Sequence, residues 1–357
     1  MEIRNYYQKM NEIYGKLQDE ESRKLFEARI AYLIERDKHK YILKLGEIYK
    51  DWYSVSEMQT ELDQRKYEEI IICGCGYLGM MLQGMLLCMG YHVDYFCDNY
   101  HAGEELDNVT VISVTDVISR HSENSLIIIG SYQYQDEMYQ QLCDLGIEKN
   151  NILKCTKIEL FGKRGFQYFD VFSPCREEVF VDAGAFDGET IFDFCKWTNG
   201  NYKKIVAFEP ISEMCKKIET AISDRGLEKI QLINGATWDR QEEIKFADAG
   251  ASSCMDETGS VVVQGVPIDS VVKDSKVTYI KMDIEGSELK ALEGARETIL
   301  RDHPRLAICI YHKPMDIIEI PAYILKLVPE YKFYIRHYTS NMWETVLYAE
   351  CMGNDEV

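Results

Sequence analysis

Asp182, Glu209, Asp283 and Glu285 each stand at the end of an apolar run, and their charge decides what could sit beside them. Glu178-Val-Phe-Val-Asp182 leads into Ala-Gly184-Ala-Phe-Asp187-Gly188 and then a helical segment. A carboxylate at the tip of such a strand opposes a pyrophosphate. It suits a ligand with positive charge, such as the ammonium and sulfonium of S-adenosylmethionine (SAM). Gly184 and Gly188 let the chain turn sharply and press close to that ligand. Twenty-five residues beyond Gly184, Val206-Ala-Phe-Glu209-Pro210 ends another run on an acid. A carboxylate there can accept both hydroxyls of a ribose.

Tyr279-Ile-Lys-Met-Asp283-Ile-Glu285-Gly286 delivers two further carboxylates ahead of a helix that starts near Ser287. His312 follows the run Arg305–Tyr311, and His337 lies near the end of Phe333–Tyr338. Ligands of open α/β sheets bind outside the carboxyl ends of the strands, so these four groups are expected to converge on one rim. Asp283 and His312 are the candidates for taking a proton from a reacting hydroxyl, with Glu285 and His337 beside them. The same set, Asp283, Glu285 and His312, could instead hold a divalent metal that acidifies the hydroxyl. Ser287 and Glu288 read as helix-start residues. The remaining histidines show no such placement.

A second glycine loop wants a different ligand. Gly74-Cys-Gly76-Tyr-Leu-Gly79 follows the strand Glu69–Cys73 with no acid beside it, and Asp98 ends the next strand. Such a loop lets backbone N–H groups and a helix start meet a pyrophosphate, with Asp98 on a ribose. Glycines at this spacing also serve tight strand–helix packing, and both readings stay open here.

The elements that must position these groups are two α/β sheets in tandem. Residues 1–65 read as a helical appendage, with apolar positions at helical spacing, Ser22 as a cap and a role in packing or homo-oligomer formation. Residues 66–155 alternate short apolar runs with helical segments: strands at Glu69–Cys73, Tyr91–Cys97 and Ser125–Gly130, and a helix from about Met80 to Met89. Residues 156–175 read as a linker. Residues 176–357 form the second doubly wound domain, with a small β insertion between Ile244 and Asp269. It ends in an antiparallel hairpin of Lys332–Tyr338 and Thr345–Glu350.

Composition narrows the partners. The chain has 357 residues and a formal charge of −20, so it repels phosphate backbones and anionic membranes, and a nucleic-acid partner is not expected. Its twelve cysteines are scattered without a C-x-x-C pair. The first residues form no signal-like apolar run, and no stretch of about 18 apolar residues occurs. These features read as a reduced, cytoplasmic protein without a membrane span.

With these motifs in place, the sequence resembles the FkbM family of SAM-dependent methyltransferases. The resemblance rests on Val-Asp182-Ala-Gly-Ala-Phe-Asp-Gly, Ala-Phe-Glu209-Pro, Ile-Lys-Met-Asp283-Ile-Glu-Gly-Ser-Glu and Leu292-Glu-Gly-Ala. The downstream segments Tyr311-His312-Lys-Pro and Glu344-Thr-Val-Leu-Tyr are also similar, so that it spans roughly residues 175–350. It implies a class I methyltransferase sheet that transfers a methyl group to a hydroxyl of a sugar, glycan precursor or similar small molecule. It also implies that Asp182, Gly184, Gly188 and Glu209 hold the cofactor, flanked by Asp187 and Pro210. More loosely, Ser252-Ser253 matches a segment near the family's pocket. Residues 67–155 resemble the Rossmann-type domains that accompany bacterial sugar-modifying enzymes, which hints at a nucleotide-linked sugar or a partner protein. Two other readings remain: an NAD-dependent sugar-nucleotide oxidoreductase working from the Gly74 loop, and a non-catalytic nucleotide-sugar-binding scaffold.

Overall fold

The computed structural model describes residues 2–49, 62–64, 67–154, 167–246 and 261–351. Ser252-Ser253 and residues 156–166 of the expected linker lie outside the described residues. The chain divides into two units, residues 28–164 with 338–342, and residues 1–27 and 165–337 with 343–357.

The first unit is built on β1 (Glu69–Cys73), β2 (Tyr95–Cys97), β3 (Glu105–Leu106), β4 (Val109–Ile112), β5 (Ser125–Ile129) and β6 (Ile152–Lys154). They lie in the order β3-β4-β2-β1-β5-β6, parallel except for β3 against β4. Ile70, Ile72 and Phe96 join one buried cluster, and Ile71, Ile127 and Ile129 join another. A sheet covered on both faces explains why these strands read as unbroken apolar runs rather than alternating ones. The strand expected over Tyr91–Cys97 is confined to its last three residues. The β3–β4 hairpin was not expected; it turns on Asp107 and Asn108, at φ 51° and 63°, the left-handed pair that a two-residue hairpin loop requires. Tyr338–Met342 belongs to this unit, and Ser340 Oγ donates to the carbonyl of Met81 at 2.7 Å.

The second unit carries β7 (Glu178–Ala183), β8 (Tyr202–Glu209), β9 (Ile230–Asn234), β10 (Ala236–Thr237), β11 (Glu242–Phe246), β12 (Val261–Val266), β13 (Tyr279–Met282), β14 (Arg305–Cys309), β15 (Tyr331–His337) and β16 (Thr345–Cys351). Seven of these make one sheet in the order β15-β16-β14-β13-β7-β8-β9. Only β16 runs antiparallel within it, between β14 and β15. The terminal hairpin therefore forms as the sequence suggests. β10, β12 and β11 make a separate small sheet, which begins at Ala236, ahead of the insertion expected between Ile244 and Asp269. β7 and β13 are buried along their whole length, which fixes them at the centre of the sheet.

Residues 1–65 are helical where described, at Glu2–Lys16, Glu20–Glu35 and Lys38–Ile48, but they do not stand apart as an appendage. Residues 1–27 belong to the second unit and the following ones to the first. Ser22 does not cap a helix. Asp19 accepts the Ser22 N–H at 2.8 Å, and the buried Ser22 Oγ accepts the N–H of Ile335 in β15. An acid three residues upstream outcompetes the serine as the cap.

Candidate functional site

A cavity of about 350 Å³ opens at the carboxyl edge of β7, β8 and β13, lined by Gly184, Phe186, Glu209, Pro210, Asp283, Glu285, Tyr311 and Glu344 among others. Its floor is the glycine loop after β7. Gly184 sits at φ +86°, and a Cβ there would lie 2.0 Å from the carbonyl oxygen of Asp283. Only glycine lets the two strand ends close on each other at that point. Gly188, also at φ +86°, starts the helix Glu189–Trp197.

Glu209 is buried at the end of β8. One carboxylate oxygen accepts the N–H of Phe186 at 2.9 Å and the other that of Ile211 at 2.8 Å. Each oxygen keeps a lone pair, and burial pushes the acid's pKa up despite those two donors. Asp182 is placed differently from what the sequence suggests. It is fully buried, it does not line the cavity, and it faces Lys281 across the β7–β13 register. Lys281 Nζ lies 3.1 Å from Asp182 Oδ1 and donates to the carbonyl of Gly184 at 2.6 Å. Burial works against the Lys281 ammonium, but Asp182 and Asp283 outweigh it and hold its pKa above the ordinary lysine value. Asp182 thus acts on the loop from beneath, through Lys281. Asp187 accepts the N–H of Glu189 at 3.1 Å and stands exposed at the helix start.

The far end of the cavity is acidic. Asp283 Oδ2 accepts the hydroxyl of Tyr168 at 2.8 Å, and Oδ1 lies 3.4 Å from the Tyr311 hydroxyl. Tyr311 also donates to Glu344 at 3.2 Å, whose second oxygen accepts from Gln167 at 2.5 Å. Burial and the neighbouring Asp283 raise the pKa of Glu344. Burial also raises that of Glu285, although His312 opposes it. Glu285 and Glu344 hold left-handed backbone, at φ 54° and 61°. Non-glycine residues rarely adopt this conformation, and it gathers at functional sites.

His312 is almost wholly enclosed by acids. Its Nδ1 lies 2.9 Å from Glu288 Oε1, and its Nε2 lies 3.4 Å from Asp283 and 3.6 Å from Glu285. Burial disfavours its charged form, but Glu288, then Asp283 and Glu285, outweigh that and push its pKa up to about 9. These acids favour the protonated ring, and Asp283 stands beside it on the cavity wall. Glu288 does more than start a helix: its Oε1 also accepts the N–H of Ile284 at 3.0 Å.

His337 does not join this group. It is fully buried, with Nδ1 2.8 Å from the hydroxyl of Thr345, and does not line the cavity. Sequence reasoning also missed contributors. Lys281, Tyr311 and Glu344 stand inside the quoted motifs, but only contact geometry gives them roles. Tyr168 comes from the stretch read as linker and carried no signal at all.

The Gly74 loop is explained largely by packing. A Cβ on Gly79 would lie 1.9 Å from the carbonyl oxygen of Gly74, whereas one on Gly76 would meet nothing within 4 Å among the described residues. Gly76 precedes the helix Tyr77–Cys88 without a side-chain cap. Asp98 accepts the N–H of Tyr100 at 2.9 Å and lies near Cys75 and His101.

The second unit is thus a mostly parallel α/β sheet with one antiparallel strand next to the edge and a cavity at the carboxyl ends. Residues 182–336, within the second unit, match the family described as the methyltransferase FkbM domain. No curated protein matches the chain. Among solved structures, the methyltransferase FkbM of Methylobacillus flagellatus KT is 19% identical, covering 92% of this chain and 99% of its own, with a TM-score of 0.48. An rRNA methylase of Streptococcus thermophilus is 18% identical over 49% of this chain and 87% of its own, at a TM-score of 0.33. The SAH-bound methyltransferase PaMTH1 of Podospora anserina is 11% identical over 49% and 71%, at 0.32. Likenesses this distant carry nothing about ligand or substrate to this chain. Among the described residues, no helix is long and apolar enough to cross a membrane.

Proposed function

We propose that the second unit is a SAM-dependent O-methyltransferase acting on a hydroxyl of a sugar, glycan precursor or similar small molecule. The observation that carries this reading is Glu209. It is a buried acid at the end of the second strand, pinned by two backbone N–H groups and facing a cavity whose walls are acidic. The residues fit the cofactor: about 350 Å³ suits a small organic ligand, and the carboxylates favour a cationic one. Glu209, with Gly184 and Pro210, would hold it, while Asp182 and Lys281 fix the loop from below. When bound, SAM supplies an electrophilic methyl group on a positively charged sulfur.

The chain's part is alignment and proton removal. Tyr168 fixes the Asp283 carboxylate at the acidic end, where it would accept the acceptor hydroxyl's proton as the oxygen attacks in line. Glu285 and Glu344 border the same space and repel phosphate. The acceptor's reacting end is therefore unphosphorylated. A nucleotide-linked group would have to reside elsewhere, with the Gly74 loop and Asp98 as its candidate site.

Calorimetry with SAM and with S-adenosylhomocysteine (SAH) tests the reading, followed by SAH release with a panel of hydroxyl acceptors. Saturable binding is expected, and Glu209→Ala should weaken it roughly 10- to 100-fold, the scale of a charge-assisted hydrogen-bond pair. Absence of binding by the folded protein refutes the proposal.

A further inference from the structure

Where β1 and β2 end, the first unit brings a thiol, a carboxylate and an imidazole to one point. Cys75, Asp98 and His101 each offer a donor atom, and the three atoms lie within 4.8 Å of one another. The strand register explains the meeting. Cys73 pairs with Cys97 at the ends of the two parallel strands, so Cys75 and Asp98 leave the sheet side by side. The Gly74 N–H donates to the Cys97 carbonyl at 2.8 Å and ties the two loops together. Beyond Asp98 the chain folds back on itself. Asp98 Oδ1 accepts the N–H of Tyr100 at 2.9 Å, and the Glu104 N–H donates to the His101 carbonyl at 3.0 Å. The Gly103 N–H donates to the Val111 carbonyl and the Val111 N–H to that of Glu104, which fastens this turn to β4. His101 Nδ1 lies 3.2 Å from Glu104 Oε2, a carboxylate contact of the kind that steadies a metal-binding histidine. Cys75 is buried and the His101 side chain exposed, so the group has a closed side and an open one.

We infer that Cys75, Asp98 and His101 bind a divalent cation of the zinc class at the carboxyl edge of the first sheet. Thiolate sulfur, imidazole nitrogen and carboxylate oxygen are the ordinary ligands of zinc. A thiolate in the set selects against magnesium and calcium, which take oxygen. Ligand atoms on a tetrahedral zinc stand roughly 3.5 Å apart, and the exposed His101 ring has the freedom to close the difference. On binding, the Cys75 thiol gives its proton to solvent. Its thiolate and the Asp98 carboxylate then balance the two charges of the ion. Three protein ligands leave a fourth position for water or another ligand. Asp98 then serves the cation rather than a ribose, and a phosphate group arriving at the Gly74 loop would meet the ion. The site lies wholly within the first unit and does not depend on the methyltransferase reading.

Titration of the reduced, EDTA-treated full chain with Co²⁺, a spectroscopic stand-in for zinc, tests the site. One saturable ion per chain is expected, with a thiolate-to-cobalt charge-transfer band in the near ultraviolet that Zn²⁺ displaces. Cys75→Ser should abolish the band, and His101→Ala should weaken binding by at least ~10-fold. The His101 side chain is 51% exposed, so its variant remains readable even where Cys75→Ser fails to fold. Cys143→Ser, at a free cysteine outside the group, should change nothing. Absence of saturable binding overturns the site. So does a band that persists in folded Cys75→Ser, an affinity unchanged in His101→Ala, or a band lost in Cys143→Ser.

Discussion

Replacing Lys281 by Met should unfold the second unit far more readily than its place inside a strand suggests. Lys281 is 2% exposed and Asp182 is fully buried, so water cannot take over the lost partner. Among the described residues neither Asp182 oxygen has a hydrogen-bond partner, which makes the 3.1 Å contact with Lys281 the carboxylate's main compensation. Removing one member of such a pair leaves a buried charge and costs ~3–5 kcal/mol. For a unit of this size that lowers the melting temperature on the order of 10 °C. The Gly184 carbonyl loses its 2.6 Å donor as well, so SAH affinity should fall along with stability. Asp182→Asn in the same background removes the stranded charge and should recover most of the lost stability. Urea unfolding followed by tryptophan fluorescence suits the test, because Trp197, Trp238 and Trp343, three of the chain's four, all lie in the second unit. A loss below about 1 kcal/mol, or a double variant no more stable than Lys281→Met alone, would refute the reasoning that a desolvated ion pair dominates this spot.

Gly184→Ala should destabilise the unit by at least ~2 kcal/mol and abolish measurable SAH binding by calorimetry, since its backbone is left-handed and its Cβ would strike the Asp283 carbonyl. In the first unit, Gly79→Ala should lower the thermal midpoint and Gly76→Ala should leave it unchanged, because only the former's Cβ meets backbone; circular dichroism melts separate the two. Asp316 sets a pH dependence. Burial pushes its pKa up to about 6, against the pull of the Lys313 N–H. The folded state thus holds its proton more tightly than the unfolded chain, whose aspartates titrate near about 4. Its contribution to stability is full below that value and is lost as pH rises through about 6. Asp316→Asn should flatten that part of the urea-midpoint profile measured between pH 4 and 7.

The sheets were legible in the sequence because parallel strands buried on both faces leave continuous apolar runs with an acid or glycine at the tip. Glu209, Asp283 and Glu285 were found on that signal alone. What it could not show is the direction in which a buried carboxylate turns. Asp182 and Glu209 end adjacent strands with the same pattern. The β7–β13 register, however, sets Asp182 opposite a lysine, and the bend after β8 turns Glu209 onto the N–H groups of Phe186 and Ile211. One acid became a support of the loop and the other a wall of the cavity.

Charge explains the rest of what was missed. A histidine at a strand end reads as a base until its neighbours are counted, and Glu288 is remote from it in sequence. Folding sets His312 among Asp283, Glu285 and Glu288, a concentration of negative charge that a neutral imidazole would leave unbalanced. Lys281 answers the same excess beneath the Gly184 loop. Within the site, Asp182, Glu209, Asp283, Glu285, Glu288 and Glu344 still outnumber these two cations. Burial raises the pKa of Asp182, Glu209, Glu285 and Glu344, so keeping them ionised costs free energy. A cavity walled in this way gains most from ligands that bring positive charge. A sulfonium cofactor against Glu209 would relieve part of that excess.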